Sequence, residues 1–230
     1  MASTALPPAD LLPVSRRANV PYRIVRLIGV PLLRLCFQFQ VEGRENIPCS
    51  GNYIVIANHL NWLDEFTLLL LFPVEPRLHF LADPTMLVTR KFQWWLVRTT
   101  GGYVPVVRDR HSDKALFHHV DHALEVGGAV AIFPEANYGP KEGELLPFKK
   151  GFAHFAFDAG VPIVPIALTG TKELWLGKTI GLRIGSPIPA QGRTVDELLQ
   201  LGEQAVAEIL PPYQEPPGRK PLRVWLTGLF

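Results

Sequence analysis

The chain is poor in cysteine, in net charge and in long apolar runs, and each shortage removes a class of protein. It has two cysteines in 230 residues, Cys36 and Cys49. Two thiols neither make a disulfide scaffold nor ligate a metal by themselves, so both read as ordinary reduced side chains. The formal net charge is +2, from 23 lysines and arginines against 21 aspartates and glutamates. That excess is far too small for a protein that tracks phosphates, and no stretch interleaves basic and aromatic residues, so nucleic acid is not an expected partner. The longest charge-free apolar run, FTLLLLFPV at 66–74, is less than half the ~20 residues that span a bilayer as a helix and reads as core. Residues 1–20 put Pro7, Pro8, Asp10, Pro13 and the pair Arg16-Arg17 ahead of any long apolar run. That is the wrong order for a secretory signal and predicts a cytoplasmic protein.

What is present is ample core material, 47% hydrophobic residues, with 22 prolines and 19 glycines spread along the chain, which suits one globular domain. There is no internal repeat, and only the proline-rich ends, 1–14 and 211–221, read as loosely ordered. Strand candidates are YIVIA at 53–57, LHFLA at 78–82, GYVPVV at 102–107, AVAIF at 129–133, PIVPIAL at 162–168 and IGLRIG at 180–185. Helical patterns separate them at 62–72, 89–98, 113–126 and 150–159, and another follows at 194–210. Continuous apolar strands alternating with helices predict an α/β layer, a mixed and largely parallel sheet covered by helices, with the chemistry in the loops at strand ends.

The segment VPYRIVRLIGVPLLRLCFQFQV at 20–41 is different. Its Arg23, Arg26 and Arg34 fall within an arc of roughly 80° on a helical wheel, and the other faces are Leu, Ile, Val and Phe. A basic stripe beside a broad apolar remainder suits the bilayer interface, with arginine on anionic headgroups and apolar side chains in the acyl boundary. Pro31 should kink or split the helix. Residues 1–40 are thus expected to be a tail and an amphipathic membrane-association segment, and 41–230 the domain that carries the activity.

Residues 57–65, ANHLNWLDE, place a histidine where an apolar strand ends. Asn61 can cap a helix beginning at Trp62, and Asp64 at its third position can reach back toward the turn that holds His59. Three readings fit this spacing: a general base with its orienting carboxylate, a helix cap beside a structural histidine, and part of a metal site. His118, His119 and His122 in KALFHHVDHALEV also carry two readings. His118 and His122 share a helix face opposite Leu116, Val120, Ala123 and Leu124, as exposed side chains or as a metal pair with Asp121. The aromatic residues Phe148, Phe152, Phe155 and Phe157 read as core.

Further segments narrow the choice. GGYVPVVRDR at 101–110 ends a strand with Arg108, FPEANYG at 133–139 leaves a strand with Glu135, FKKG at 148–151 opens a helix, and VPIVPIALTG follows at 161–170. In this order with NHLNWLD they resemble the glycerolipid acyltransferase family that includes 1-acylglycerol-3-phosphate (lysophosphatidic acid) acyltransferases, over roughly residues 40–190. The resemblance implies acyl transfer at the cytoplasmic face of a membrane from acyl-CoA or acyl-carrier protein to a lipid hydroxyl. No cofactor or metal is implied. His59 would be the general base and Asp64 would orient it. The resemblance gives Arg108 to the acceptor phosphate and Glu135 to the acceptor loop with Asn137 and Tyr138, and Lys149 is a candidate phosphate or headgroup contact. The family commonly reads F-P-E-G-T-R-S where this chain has Phe133-Pro134-Glu135-Ala136-Asn137-Tyr138-Gly139. Tyr138 therefore stands where an arginine is usual, and its neutral hydroxyl implies looser recognition of a phosphate, or an acceptor without one. No G-x-S-x-G elbow occurs, so direct transfer is expected rather than a covalent acyl-enzyme.

Overall fold

The computed structural model describes residues 14–49, 51–82, 91–106 and 114–229. Its strands are β1 (Gln38–Glu42), β2 (Ile54–Ala57), β3 (Leu78–Ala82), β4 (Tyr103–Pro105), β5 (Ala129–Ile132), β6 (Ile163–Thr169) and β7 (Thr179–Ile184). The helices are α1 (Val20–Cys36), α2 (Leu63–Leu71), α3 (Lys91–Thr100), α4 (Lys114–Glu125), α5 (Gly151–Ala159), α6 (Val195–Ile209) and α7 (Arg223–Thr227). The strands form one sheet in the order β1-β7-β6-β2-β5-β3-β4, in which only β6 and β7 run antiparallel. The predicted largely parallel α/β sheet is what forms.

Alternation along β2 shows why its unbroken apolar run is needed. Ile54 and Ile56 enter a core with Val120 and Leu124 of α4, Phe152 and Phe155 of α5, and Leu198 and Val206 of α6. Val55 and Ala57 face the other way, into a core with Leu68 and Leu71 of α2. A strand buried on both faces has no polar side, as parallel sheets require. Gly202 lets α6 come close: a Cβ there would stand 2.8 Å from the Phe152 ring. Of the predicted aromatic core, Phe148, Phe152 and Phe155 are buried, whereas Phe157 is about half exposed at 49% because it lies on the outer side of α5.

Two elements lie outside the pattern read from sequence. β1 occupies residues assigned to the end of the amphipathic segment. Its alternating exposed and half-buried residues mark an edge strand paired only to β7, so it lacks the apolar density that identifies the central strands. α7 follows the proline-rich stretch 211–221, which is irregular yet bonded: the Leu176 amide donates to the Pro221 carbonyl at 3.1 Å.

α1 is one helix that contains Pro31 and is not split there. Pro31 is exposed and supplies no amide to the ladder. Asn19 caps the helix by accepting from the Tyr22 amide, and Tyr22, buried at 1% exposure, donates to the Leu69 carbonyl at 2.6 Å. The arginine stripe is partly turned to the protein: Arg23 pairs with Glu75 and Arg26 donates to the Leu69 carbonyl at 2.9 Å. The outward arc is instead apolar. Val20, Ile24, Leu27, Ile28, Leu32 and Leu35 are each more than half exposed, across an arc of about 140°. No helix among the described residues is long and apolar enough to cross a membrane.

His79 on β3 is fully buried. Its Nδ1 donates to the Ala129 carbonyl at 3.1 Å and its Nε2 accepts from the Ser15 amide at 3.1 Å, so the ring is held as the neutral tautomer. Burial pushes its pKa down to about 4. Between that value and the ~6.5 of an unfolded histidine the unfolded chain binds the extra proton, so stability is full above that window and is lost as pH falls through it. Unfolding free energy from urea titrations should drop by about 2 kcal/mol between pH 7 and pH 5 through this residue alone. In His79→Gln the difference between the two pH values should shrink by that amount, and an unchanged difference would assign the acid sensitivity elsewhere.

Candidate active site

Three neighbouring parallel strands, β6, β2 and β5, release their chains at the same sheet edge. Three loops therefore meet there: residues 58–62 after β2, 133–139 after β5 and 170–173 after β6. The carboxyl edge of a parallel sheet is where α/β proteins place their sites.

The turn after β2 is held by one carboxylate. Asp64, fully buried at the start of α2, accepts on Oδ2 from the Leu60 amide, from the Asn61 amide at 2.9 Å and from His59 Nδ1 at 3.0 Å. A single oxygen thus holds both the amides of the turn and the imidazole. An ionised carboxylate only accepts, so Nδ1 carries a proton, and in the neutral ring the lone pair is then on Nε2. Among the described residues no group hydrogen-bonds Nε2, and the His59 side chain retains 13% exposure. The Asn61 side chain accepts through Oδ1 from the Trp62 amide at 2.6 Å, at the residue just ahead of α2. Its Nδ2 donates to the Lys172 carbonyl at 3.0 Å, which fastens the β2 turn to the β6 loop.

His59 is also gripped by its backbone. Its amide donates to Glu135 Oε1 at 3.0 Å, and its carbonyl accepts from the Gly139 amide at 2.6 Å. The second Glu135 oxygen accepts from the Leu146 amide at 2.9 Å. Glu135 is 2% exposed, and burial raises its pKa against the opposing pull of those two amides. The imidazole lies against the Phe133 ring, with centroids 4.0 Å apart and planes at 15°, and Tyr138 leans on it at 4.3 Å and 54°. The His59 ring is thus held at Nδ1, at its backbone and between two aromatic neighbours.

Of the residues expected at this site, the structure brings together His59, Asp64, Glu135 and Tyr138. Asn137 is exposed on the same loop, next to Ala136, which holds a left-handed φ of 58° where the family pattern has glycine. Lys149 is exposed, and its amide donates to the Pro134 carbonyl at 2.8 Å, beside the Glu135 loop. Arg108 and Arg110 lie outside the described residues. On α4, His118 is exposed but His119 is buried with Val120 and Leu124. No group of three or more His, Cys, Asp or Glu among the described residues is arranged to hold a metal ion.

Sequence reasoning missed the residues that stitch the loops. Buried Asn58 exchanges bonds with Leu168 of β6, at 3.0 Å through its Nδ2 and 2.7 Å through its Oδ1. Glu142 accepts from the Gly170 and Lys172 amides at 3.0 and 2.9 Å, and Lys172 Nζ donates to the Gly139 carbonyl. These partners are 28 to 110 residues apart. The only local hint was Asn58, a polar residue directly after a buried strand.

Comparison with known proteins identifies the family and the fold. The Acyltransferase family pattern matches residues 38–169. A 1-acyl-sn-glycerol-3-phosphate acyltransferase of Chlamydomonas reinhardtii is 31% identical over 186 residues, covering 76% of this chain and 54% of its own. A chloroplastic enzyme of the same name from Brassica napus is 30% identical over 180 residues, with 75% and 51% covered. The chain thus spans about half the length of these curated relatives. The human 1-acyl-sn-glycerol-3-phosphate acyltransferase alpha is 26% identical over 212 residues, 83% of this chain and 70% of that one. The crystal structure of PlsC, the 1-acyl-sn-glycerophosphate acyltransferase of Thermotoga maritima, has the same fold, with a TM-score of 0.65 at 24% identity over 84% of this chain and 81% of that one. By its matched core and its sheet, this chain belongs to the Acyltransferase family.

Proposed function

We propose that the protein transfers an acyl chain from acyl-CoA or acyl-carrier protein to the hydroxyl of a lysophosphatidic acid-like lipid at a membrane surface, with His59 as general base. The observation that carries this reading is the His59 ring, tied at Nδ1 to a buried carboxylate and left with an unengaged Nε2. An alcohol is a weak nucleophile at neutral pH and gains from a base within hydrogen-bond reach of its proton. The acceptor hydroxyl gives its proton to Nε2 as its oxygen attacks the thioester carbonyl. Asp64 stabilises the imidazolium so formed. The tetrahedral adduct collapses with cleavage of the C–S bond, and the imidazolium proton goes to the departing thiolate. Ester and free thiol are the products, and no acyl-enzyme is needed.

Release of free CoA from long-chain acyl-CoA, measured against lysophospholipid and glycolipid acceptors, tests the reading. Acceptor-dependent release is the expected result. Lipid binding with no release on any acceptor would make the chain a noncatalytic lipid-surface module.

Tyr138 favours a second acceptor class. Its ring leans on His59, and it carries a neutral hydroxyl where the family pattern has a guanidinium. An acceptor lacking a terminal phosphate, or a lysophospholipid held with modest affinity, fits this loop. Tyr138→Arg should lower the KM for lysophosphatidic acid about tenfold, the worth of one charge-assisted hydrogen bond, with a smaller change in kcat. Saturation kinetics on both proteins with one donor decide it. A wild type that already saturates at low lysophosphatidic acid, with no gain in the variant, would reject it.

The exposed apolar arc of α1 is the membrane contact in this proposal. Six large aliphatic side chains facing water on one helix exceed what an isolated surface tolerates without a partner. Association would be peripheral or monotopic, at the cytoplasmic face of the cell membrane.

A further inference from the structure

Helix α7 carries an apolar surface that the chemistry above does not use. Val224 is 88% and Trp225 59% exposed, with Leu222 at 53%, whereas Leu226 is 5% exposed. The helix is firmly docked. Leu226 packs with Phe37, Trp62, Leu63 and Leu174, Trp62 Nε1 donates to the Leu226 carbonyl at 3.1 Å, and the Leu174 amide donates to Thr227 Oγ1 at 2.9 Å. A short helix anchored on one side so displays a tryptophan and a valine on the other.

Its position relative to α1 follows from two adjacent bonds. The Leu176 amide donates to the Pro221 carbonyl at 3.1 Å, and the Gly177 amide donates to the Cys36 carbonyl at 2.7 Å. One step of the loop after β6 thus touches both the entry to α7 and the end of α1. Leu33 and Cys36 of α1 pack on the same cluster as Leu226. The entry to α7 therefore lies near the C-terminal end of α1, the end that also carries the exposed Leu32 and Leu35. Arg34 near the end of α1 and Arg219 four residues ahead of α7 are also exposed. Aliphatic residues, a tryptophan and exposed arginines suit a bilayer interface, where indole sits at headgroup depth and guanidinium meets lipid phosphate. The catalytic turn is next to it, since Asn61 Nδ2 reaches the Thr227 carbonyl at 3.4 Å.

We propose that α7 and the C-terminal half of α1 form one bilayer-contacting rim, with Trp225 and Val224 entering the headgroup–acyl boundary beside the catalytic turn. This rests on the membrane-surface reading of the function and adds a second, C-terminal element to it. The rim would seat the opening of the site at the depth where a lipid acceptor presents its hydroxyl.

The test uses the full chain and phosphatidylcholine–phosphatidylglycerol vesicles with brominated acyl chains. Bromolipid should quench part of the tryptophan fluorescence, and Trp225→Phe should remove that part. Val224→Ser combined with Trp225→Ser should lower the vesicle partition coefficient by about 10- to 100-fold, while CoA release with detergent-dispersed acceptor stays at the wild-type rate. If the wild type binds vesicles but quenching and partitioning survive both variants, α7 is not inserted and α1 alone carries the membrane contact. If the wild type does not bind at all, this proposal and the membrane part of the function fail together. Lipid-free self-association abolished by the double variant would make the surface a contact between copies and overturn the proposal. Loss of turnover in detergent would assign α7 to bracing the catalytic turn instead, and would also overturn it.

Discussion

His59→Ala should lower acyl transfer by about 10²- to 10⁴-fold, the usual contribution of a positioned general base. The variant removes the lone pair at Nε2, and nothing else within the described turn offers an acceptor at that place. The fold should survive. Asp64 Oδ2 would still accept from the Leu60 and Asn61 amides, so the start of α2 keeps its cap, and urea midpoints of variant and wild type should agree closely. Asp64→Asn separates the two duties of that carboxylate. A carboxamide oxygen can still cap the amides, but it no longer stabilises an imidazolium, so turnover should fall severely with a smaller change in stability. Acceptor-dependent CoA release at saturating donor measures both. Wild-type turnover in His59→Ala would reduce Asp64 to a cap and remove the base from the mechanism.

The sheet and this turn were legible because their signals are local. YIVIA ends in a buried run, and the tightness of the next few residues allows Asp64 to fold back on His59. What was not legible is that one oxygen serves both the cap and the imidazole, since either duty alone explains the spacing. Glu135 shows the other limit. The resemblance puts it in the acceptor loop, and both of its oxygens also accept from backbone amides, at His59 and Leu146, 76 and 11 residues away. No periodicity encodes a contact that depends on two parallel strands emerging side by side. The same reasoning covers β1 and α7: an edge strand pairs on one side only, and a five-residue helix is fixed by Leu226 docking on Trp62 rather than by its own propensity.

Under the proposed mechanism Glu135 acts on the reaction through His59, and its replacement should show this. In Glu135→Gln one end of the side chain becomes a donor facing an amide N–H, so one of its two bonds is lost; in Glu135→Ala both are lost. Each buried amide left without a partner costs about 1–3 kcal/mol, so the alanine variant should be destabilised by roughly 2–6 kcal/mol and the glutamine variant by about half of that. The catalytic consequence is displacement of the His59 backbone, and an error of about 1 Å in a reacting group can cost ~10²-fold. We expect Glu135→Gln to lower kcat about 10²-fold with the acceptor KM changed little. A residue that contacts the acceptor would give the opposite division, a raised KM with kcat less affected. Acceptor saturation curves at fixed donor, on protein shown folded by its urea transition, distinguish the two. A rise in KM alone would return Glu135 to the acceptor site and leave Gly139 as the remaining clamp on His59.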